Sequence, residues 1–312
     1  MVTVNRQSDG AQKIKRILQR WQLYLMVLPA ITYLFIFAYK PMYGILVAFK
    51  DYSLKLGIMG SPWMEPISGN FTRLFNSYWF PIIMNNTLTI SLVSLIIGFP
   101  APIILALMIN EIGNVRLKSV YQTVSYAPHF ISVVVVCGMI SMFLSPSAGI
   151  INRVIEMFGN QPVYFLQSPA MFKWIYVISG VWQEVGWSAI IYHAALSGID
   201  KEILEAAIVD GTTRLQRIWH INIPVLIPTI TMLLILSIGS LLGVGYEKAY
   251  LLQTDANAPG SEVISTYVFK QGINKSDFSF STATGLFNSI INSILLVLAN
   301  FVAKRVSDTS LW

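Results

Sequence analysis

The sequence predicts an all-α, multi-pass membrane protein with six transmembrane helices, and three observations predict it. The 312-residue chain is 54% hydrophobic and only 12% charged, against roughly 25% charged in a soluble domain. Its mean hydropathy is +0.61. Six apolar segments, near 22–46, 87–109, 120–143, 174–196, 222–245 and 283–303, are each long enough to cross a bilayer, which takes about 20 residues. Lipid offers the backbone no hydrogen-bond partner, so these segments are read as helices. The short alternating segments of a β-barrel are not visible.

The first segment is long and no small-residue cleavage site follows it, so it reads as an uncleaved span. Pro100 and Pro102 predict a kink in the second. The third carries Cys137 in VVVVCGMI, read as a small buried hydrophobe; one cysteine allows no intrachain disulfide. The fourth contains Glu184, the one acidic residue in any span. Gly239, Ser240, Gly243 and Gly245 in the fifth suit close packing or a bend. The sixth places Asn288 and Asn292 on one face.

Basic residues set the sidedness. Lys13, Lys15, Arg16 and Arg20 precede the first span, and Arg116 and Lys118 lie in the loop 110–119. Lys201, Arg214 and Arg217 lie in 197–221, and Lys304 and Arg305 follow the last span. These four short segments hold about half of the 21 Lys and Arg, which places them and both termini in the cytoplasm. The same positive-inside pattern accounts for the net charge of +6, because the cations form no stripe suited to nucleic acid. The domain reading is a tail at 1–21, a transmembrane domain at 22–303 with its core at about 82–303, and a tail at 304–312.

The remaining connections are long. Residues 50–86 carry Pro62, Trp63, Pro66, Tyr78, Trp79 and Pro81, and 246–282 run through DANAPGSE to VISTYVF. Loops of this length are functional or disordered; a docking surface and a structured cap both fit.

The segment 205–228, EAAIVDGTTRLQRIWHINIPVLIP, is a polar island between two spans. Asp200 can cap a helix through Leu204 and Ile208 that ends at Asp210-Gly211, glycine suiting a left-handed cap. Thr213 with Gln216 forms a capping-box pattern for a second helix. Leu215, Ile218 and Trp219 share one face of it, and Pro224 is tolerated where the next span begins. An interfacial amphipathic helix has the same pattern.

These residues resemble the EAA loop of ABC importer permeases, whose pattern is EAA, a DG turn, then I-x-L-P. Glu205, Ala206, Ala207, Asp210, Gly211, Ile221 and Pro224 match it in order. Thr212 stands where Ala is commonest and Ile223 where Leu is usual. Asn86-Thr87-Leu88 resembles the N-T-L opening of the permease core, and LSIGSLLGVGYEKAYLL, TYVFKQG, FSFSTATGLFNSIIN and the final SLW are similar to the LplB-type carbohydrate permeases.

The resemblance implies a MetI-like fold and import of complex carbohydrates or oligosaccharides. It also implies a second homologous permease as heterodimer partner, two ATP-binding subunits that use ATP and Mg, and an extracytoplasmic solute-binding protein. Glu205, Ala206, Ala207, Asp210 and Gly211 would contact the ATPase across a loop at 197–224. The chain itself lacks a GxxxxGK[ST] phosphate loop and any nucleophile–base motif, so neither ATP binding nor catalysis is expected of it.

For the substrate path the candidates are Glu184, with Trp182, Gln183 and Trp187 beside it, because intramembrane ionisable groups face cavities or partners. Asn288 and Asn292 either line the path or bond helices together. His129, His193 and His220 show no metal-ligand spacing and are assigned no chemistry. An ion-coupled secondary transporter and a membrane scaffold are the competing readings. No internal repeat supports the former.

Overall fold

The computed structural model describes residues 20–306 and 310–311. Lys13, Lys15, Arg16 and Trp312, on which part of the sidedness and tail readings rest, lie outside them. The described residues are helical, with no strand and one isolated bridge, Lys50 to Trp63. Four helices are long and apolar enough to cross a membrane, or five if a sharply bent pair counts as one span. The expected six is met only if the long but more polar helix at Pro169–Ser197 is added.

The chain divides into two compact units, the first ending at Gly69. This unit holds α1 (Trp21–Phe49), whose 18 most apolar residues are 0% buried. Beyond it the Lys50 ammonium is buried and donates to the Ser61 carbonyl at 3.0 Å, which closes a small hairpin-like turn.

The second unit, Asn70–Trp312, opens with α2 (Trp79–Gly98) and α3 (Pro100–Asn110), which together count as one span of 32 residues. The kink expected at Pro100 and Pro102 reduces to an interruption at Phe99. Prolines without N–H groups leave the carbonyls of Ile96 and Gly98 free there.

The third span is a correction. It was expected to run unbroken over 120–143, but α4 (Val115–Tyr126) and a short 3₁₀ turn (Ala127–Phe130) meet α5 (Val133–Phe143) at 96°. Pro128 cannot continue the helix, and Ser132 accepts from the Val135 N–H to begin the next one.

The fourth span, α6 (Pro169–Ser197), packs on α2, α3 and the break after α4. A Cβ at Gly186 would lie 1.9 Å from the Ser125 carbonyl oxygen; only glycine lets the two backbones touch. Next come α7 (Lys201–Val209) and α8 (Arg214–Arg217), and a π-helical turn (Ile218–Asn222) leads into α9 (Ile223–Gly239).

The fifth span stops at Gly239, six residues before the expected 245, and Ser240–Gly245 form a turn. Gly239 provides the close packing: its Cβ would meet Leu296 Cδ1 at 2.5 Å. Leu296 belongs to α12 (Phe278–Val306), which packs along α9.

The long connection 246–282 is a folded cap containing α10 (Tyr246–Leu252), α11 (Ile264–Phe269) and shorter turns. Lys270 pairs with Glu262 at 2.5 Å and donates to Gln253 at 2.6 Å. Asn86 donates to the carbonyls of Pro259 and Glu262 at 2.9 and 3.0 Å, and Thr87 Oγ1 accepts from the Ile264 N–H. The N-T-L opening of the second span is therefore the anchor of this cap. Ile90, Cys137, Phe172, Val177, Ala249 and Leu252 join α2, α5, α6 and α10 in one buried cluster.

Candidate functional site

Two regions gather the candidate residues. At the end of the bundle where α6 runs into α7, the Asp200 carboxylate caps α7 through the Glu202 N–H at 3.0 Å. Helix α7 closes on Gly211 at φ 76°, with Thr212 N–H bonded to the Ala207 carbonyl and Gly211 N–H to that of Ile208. This pair of bonds is a Schellman cap.

Thr213 and Gln216 then complete the reciprocal capping box of α8. No residue of α7 or α8 is buried. Glu205 and Ala206 are exposed with Asp210 and Gly211, and Ala207 is half-buried. Ile208, Val209, Leu215 and Trp219 are open as well. Helices this short are marginal alone, and here both are fixed by their caps while these apolar side chains stay exposed.

In the bundle, α2, α3, α6, α9 and the turn after α9 line an open cavity of about 630 Å³. Its wall includes hydroxyls from Ser91, Ser94, Ser188 and Ser237, with the rings of Tyr176 and Trp187. A smaller recess of about 210 Å³ shares Ser94, Tyr176 and Ser188 and adds Glu184. Lys248 of α10 donates to the Tyr176 carbonyl at 3.1 Å and is 9% exposed. Its Nζ stands 3.4 Å from where a Cβ of Gly180, another wall residue, would be.

The path candidates separate by geometry. Glu184 and Trp187 reach these cavities, while Trp182, Gln183, Asn288 and Asn292 are not in their walls. Gln183 is buried and donates to the Ile131 carbonyl at 3.0 Å. Asn292 Oδ1 accepts from the Leu242 N–H, tying α12 to the turn after α9. Asn288 Oδ1 is buried without a hydrogen-bond partner among the described residues.

His129, given no role from sequence, lies 2.9 Å from the Glu184 carboxylate and stacks on Trp187 with ring centroids 4.4 Å apart. Gln183, Glu184, Gly186 and Trp187 thus all grip the break in the third span. The wall serines were also missed, although Ser91 and Ser94 at i, i+3 in an apolar helix were a readable signal. Among the described residues no group of His, Cys, Asp and Glu could hold a metal ion.

Residues 98–308 match the family model described as a binding-protein-dependent transport system inner membrane component. The chain belongs to this family. The permease is 40% identical over 297 residues to the polygalacturonan/rhamnogalacturonan transport system permease protein YteP of Bacillus subtilis (strain 168), covering 95% of this chain and 92% of that one. It is 39% identical to Protein LplB of the same organism, over 94% and 91% of the two chains. Among solved structures it matches a chain of a bacterial alginate ABC transporter in complex with alginate pentasaccharide-bound periplasmic protein. That match has TM-score 0.86 and 40% identity, covering 95% and 99%.

The fold is accordingly MetI-like, and the permease is a membrane channel component of an importer whose ATPase is a separate subunit.

Proposed function

We propose that this permease forms half of the translocation path of an ATP-driven importer of complex carbohydrates or oligosaccharides, paired with a second, homologous permease as a heterodimer. An extracytoplasmic solute-binding protein delivers the sugar. Two ATP-binding subunits, using ATP and Mg, dock on the α7–turn–α8 element through Glu205, Ala206, Ala207, Asp210 and Gly211. That element and both termini face the cytoplasm, a sidedness supported by the basic residues Arg116, Lys118, Lys201, Arg214 and Arg217.

The observation that carries the reading is the fully capped, unburied α7–α8 element with its apolar side open. An element held in shape by its own caps, tied to the bundle through Arg217 and Glu111 and with Ile208, Val209, Leu215 and Trp219 exposed, suits a partner that pushes on it. An interfacial helix would need no Schellman turn between its halves.

The cavity is largely apolar with serines in its wall, which suits a sugar: serines exchange hydrogen bonds with hydroxyl groups, and Trp187 and Tyr176 offer faces to the apolar side of a pyranose ring. Glu184 and Trp187 are the path residues; Gln183 and Asn292 serve the path through their bonds to the Ile131 carbonyl and the Leu242 N–H. Acidic oligomers are the favoured class. A relative is named for polygalacturonan and a structural neighbour imports the acidic polysaccharide alginate. In this chain Lys248 places a buried cation behind Gly180.

The test is uptake of galacturonate and alginate oligosaccharides into proteoliposomes holding the full complex and binding protein. ATP-dependent accumulation is expected. Uptake sustained by an ion gradient without ATP would replace this reading with a secondary transporter.

A further inference from the structure

Helix α3 ends at Asn110, and Glu111 stands at its carboxyl terminus. An acid is poorly placed there, because the helix dipole already puts partial negative charge at that end. The compensation comes from across the bundle. Arg217 Nη2 lies 3.7 Å from one Glu111 oxygen, and Nδ2 of Asn222 lies 3.5 Å from the other. Arg217 and Glu111 side chains are 15% and 20% exposed, and Asn222 is fully buried.

The same guanidinium donates from Nη1 to the Thr212 carbonyl at 2.8 Å. One arginine therefore holds the turn that ends α7 with one nitrogen and the end of α3 with another.

Between Arg217 and Asn222 lies the π-helical turn Ile218–Asn222. Such a turn is a recognised weak point in a helix. A push on α8 would be taken up there as local bending before it reached α9. Glu111 contacts the residue just before this turn and the residue that ends it, so the tether bypasses the weak point. The contacts are long, which suits an electrostatic tether that tightens under load. Asn222 Oδ1 is buried without a hydrogen-bond partner among the described residues, so the cluster has an acceptor to spare for a rearranged state.

We infer that Glu111 is a positioning residue for transport, transmitting movement of the α7–α8 loop to the α2–α3 span that walls the cavity. The inference rests on the coupling-loop reading above.

It is tested in the assembled transporter, permease pair with ATPase subunits, with Cys137 replaced by Ser. Spin labels at Val209 and Gly113, each measured against Val297, report the loop and the end of α3 on addition of ATP and vanadate. In the parent both distances shift. In Glu111→Gln the loop shift is expected to persist while the Gly113 shift falls by at least half, and transport per ATP falls about tenfold with the ATPase still bound.

Parent-like shifts and parent-like transport per ATP in Glu111→Gln overturn the inference. Glu205→Lys separates the two readings. If that change leaves ATPase binding and loop movement intact, the coupling-loop reading itself fails, whatever Glu111 does.

Discussion

Nε2 of Gln183 lies 3.0 Å from the carbonyl oxygen of Ile131, at the point where the third span turns through 96°. A sharp break in a span leaves carbonyls without their helical donors, and lipid cannot supply any. Helix α6 supplies one from a buried side chain. The next residue, Glu184, reaches His129 on the same break, and Gly186 lets Ser125 approach. The break and the cavity wall are therefore one construction, held along about one turn of α6.

Gln183→Leu should leave the half-buried Ile131 carbonyl without this bond, a loss of about 1 kcal/mol. The expected result is a lower thermal midpoint of the purified complex in detergent, with the substrate preference unchanged. Altered preference among oligosaccharides at unchanged stability would instead make Gln183 a sugar contact.

Gly186→Ala should be the most damaging single methyl in the bundle. Its Cβ would sit 1.9 Å from the Ser125 carbonyl oxygen, a backbone atom that cannot swing aside. Overpacking of this kind costs about 1–3 kcal/mol or more. Gly138→Ala in α5 is the control, because nothing lies within 4 Å of its Cβ position. Thermal unfolding of both variants checks the contrast; equal midpoints would contradict it.

Much of this was legible beforehand. The caps of α7 and α8 follow from Asp200, Gly211, Thr213 and Gln216, because capping is local chemistry. The break at Ile131 was missed although Pro128 and Ser132 mark it, since hydropathy alone reads straight through a polar turn flanked by apolar residues. The folded cap at 246–282 was open to two readings, because its ion pair, Lys270 with Glu262, and its anchor at Asn86 join residues far apart in the chain. His129 was invisible for the same reason: its partner lies 55 positions away.

Glu184→Gln keeps the shape of the side chain and removes its charge. The carboxylate is about half exposed, so its pairing with His129 adds little to stability, and the thermal midpoint should barely move. Transport should fall about tenfold, equal to about 1.4 kcal/mol, if the charge faces the sugar path. Unchanged rate and substrate range in proteoliposomes would remove Glu184 from that path.

Gly211 separates geometry from contact in the proposed coupling loop. Its φ of 76° and the open space around it mean that Gly211→Ala meets only backbone strain, about 1–2 kcal/mol. Uptake should then be reduced but measurable. Gly211→Pro fixes φ near −65° and removes the N–H now bonded to the Ile208 carbonyl. The Schellman turn then cannot form, and uptake should be lost while the protein still reaches the membrane. Glu205→Lys leaves the turn intact and reverses one exposed charge on α7; its loss of uptake, with α7 still helical, would place the defect at the ATPase contact. Membrane fractionation, ATPase co-purification and uptake are measured on all three variants. Wild-type uptake in Gly211→Pro would show that the turn is dispensable and that the α7–α8 element is not the coupling surface.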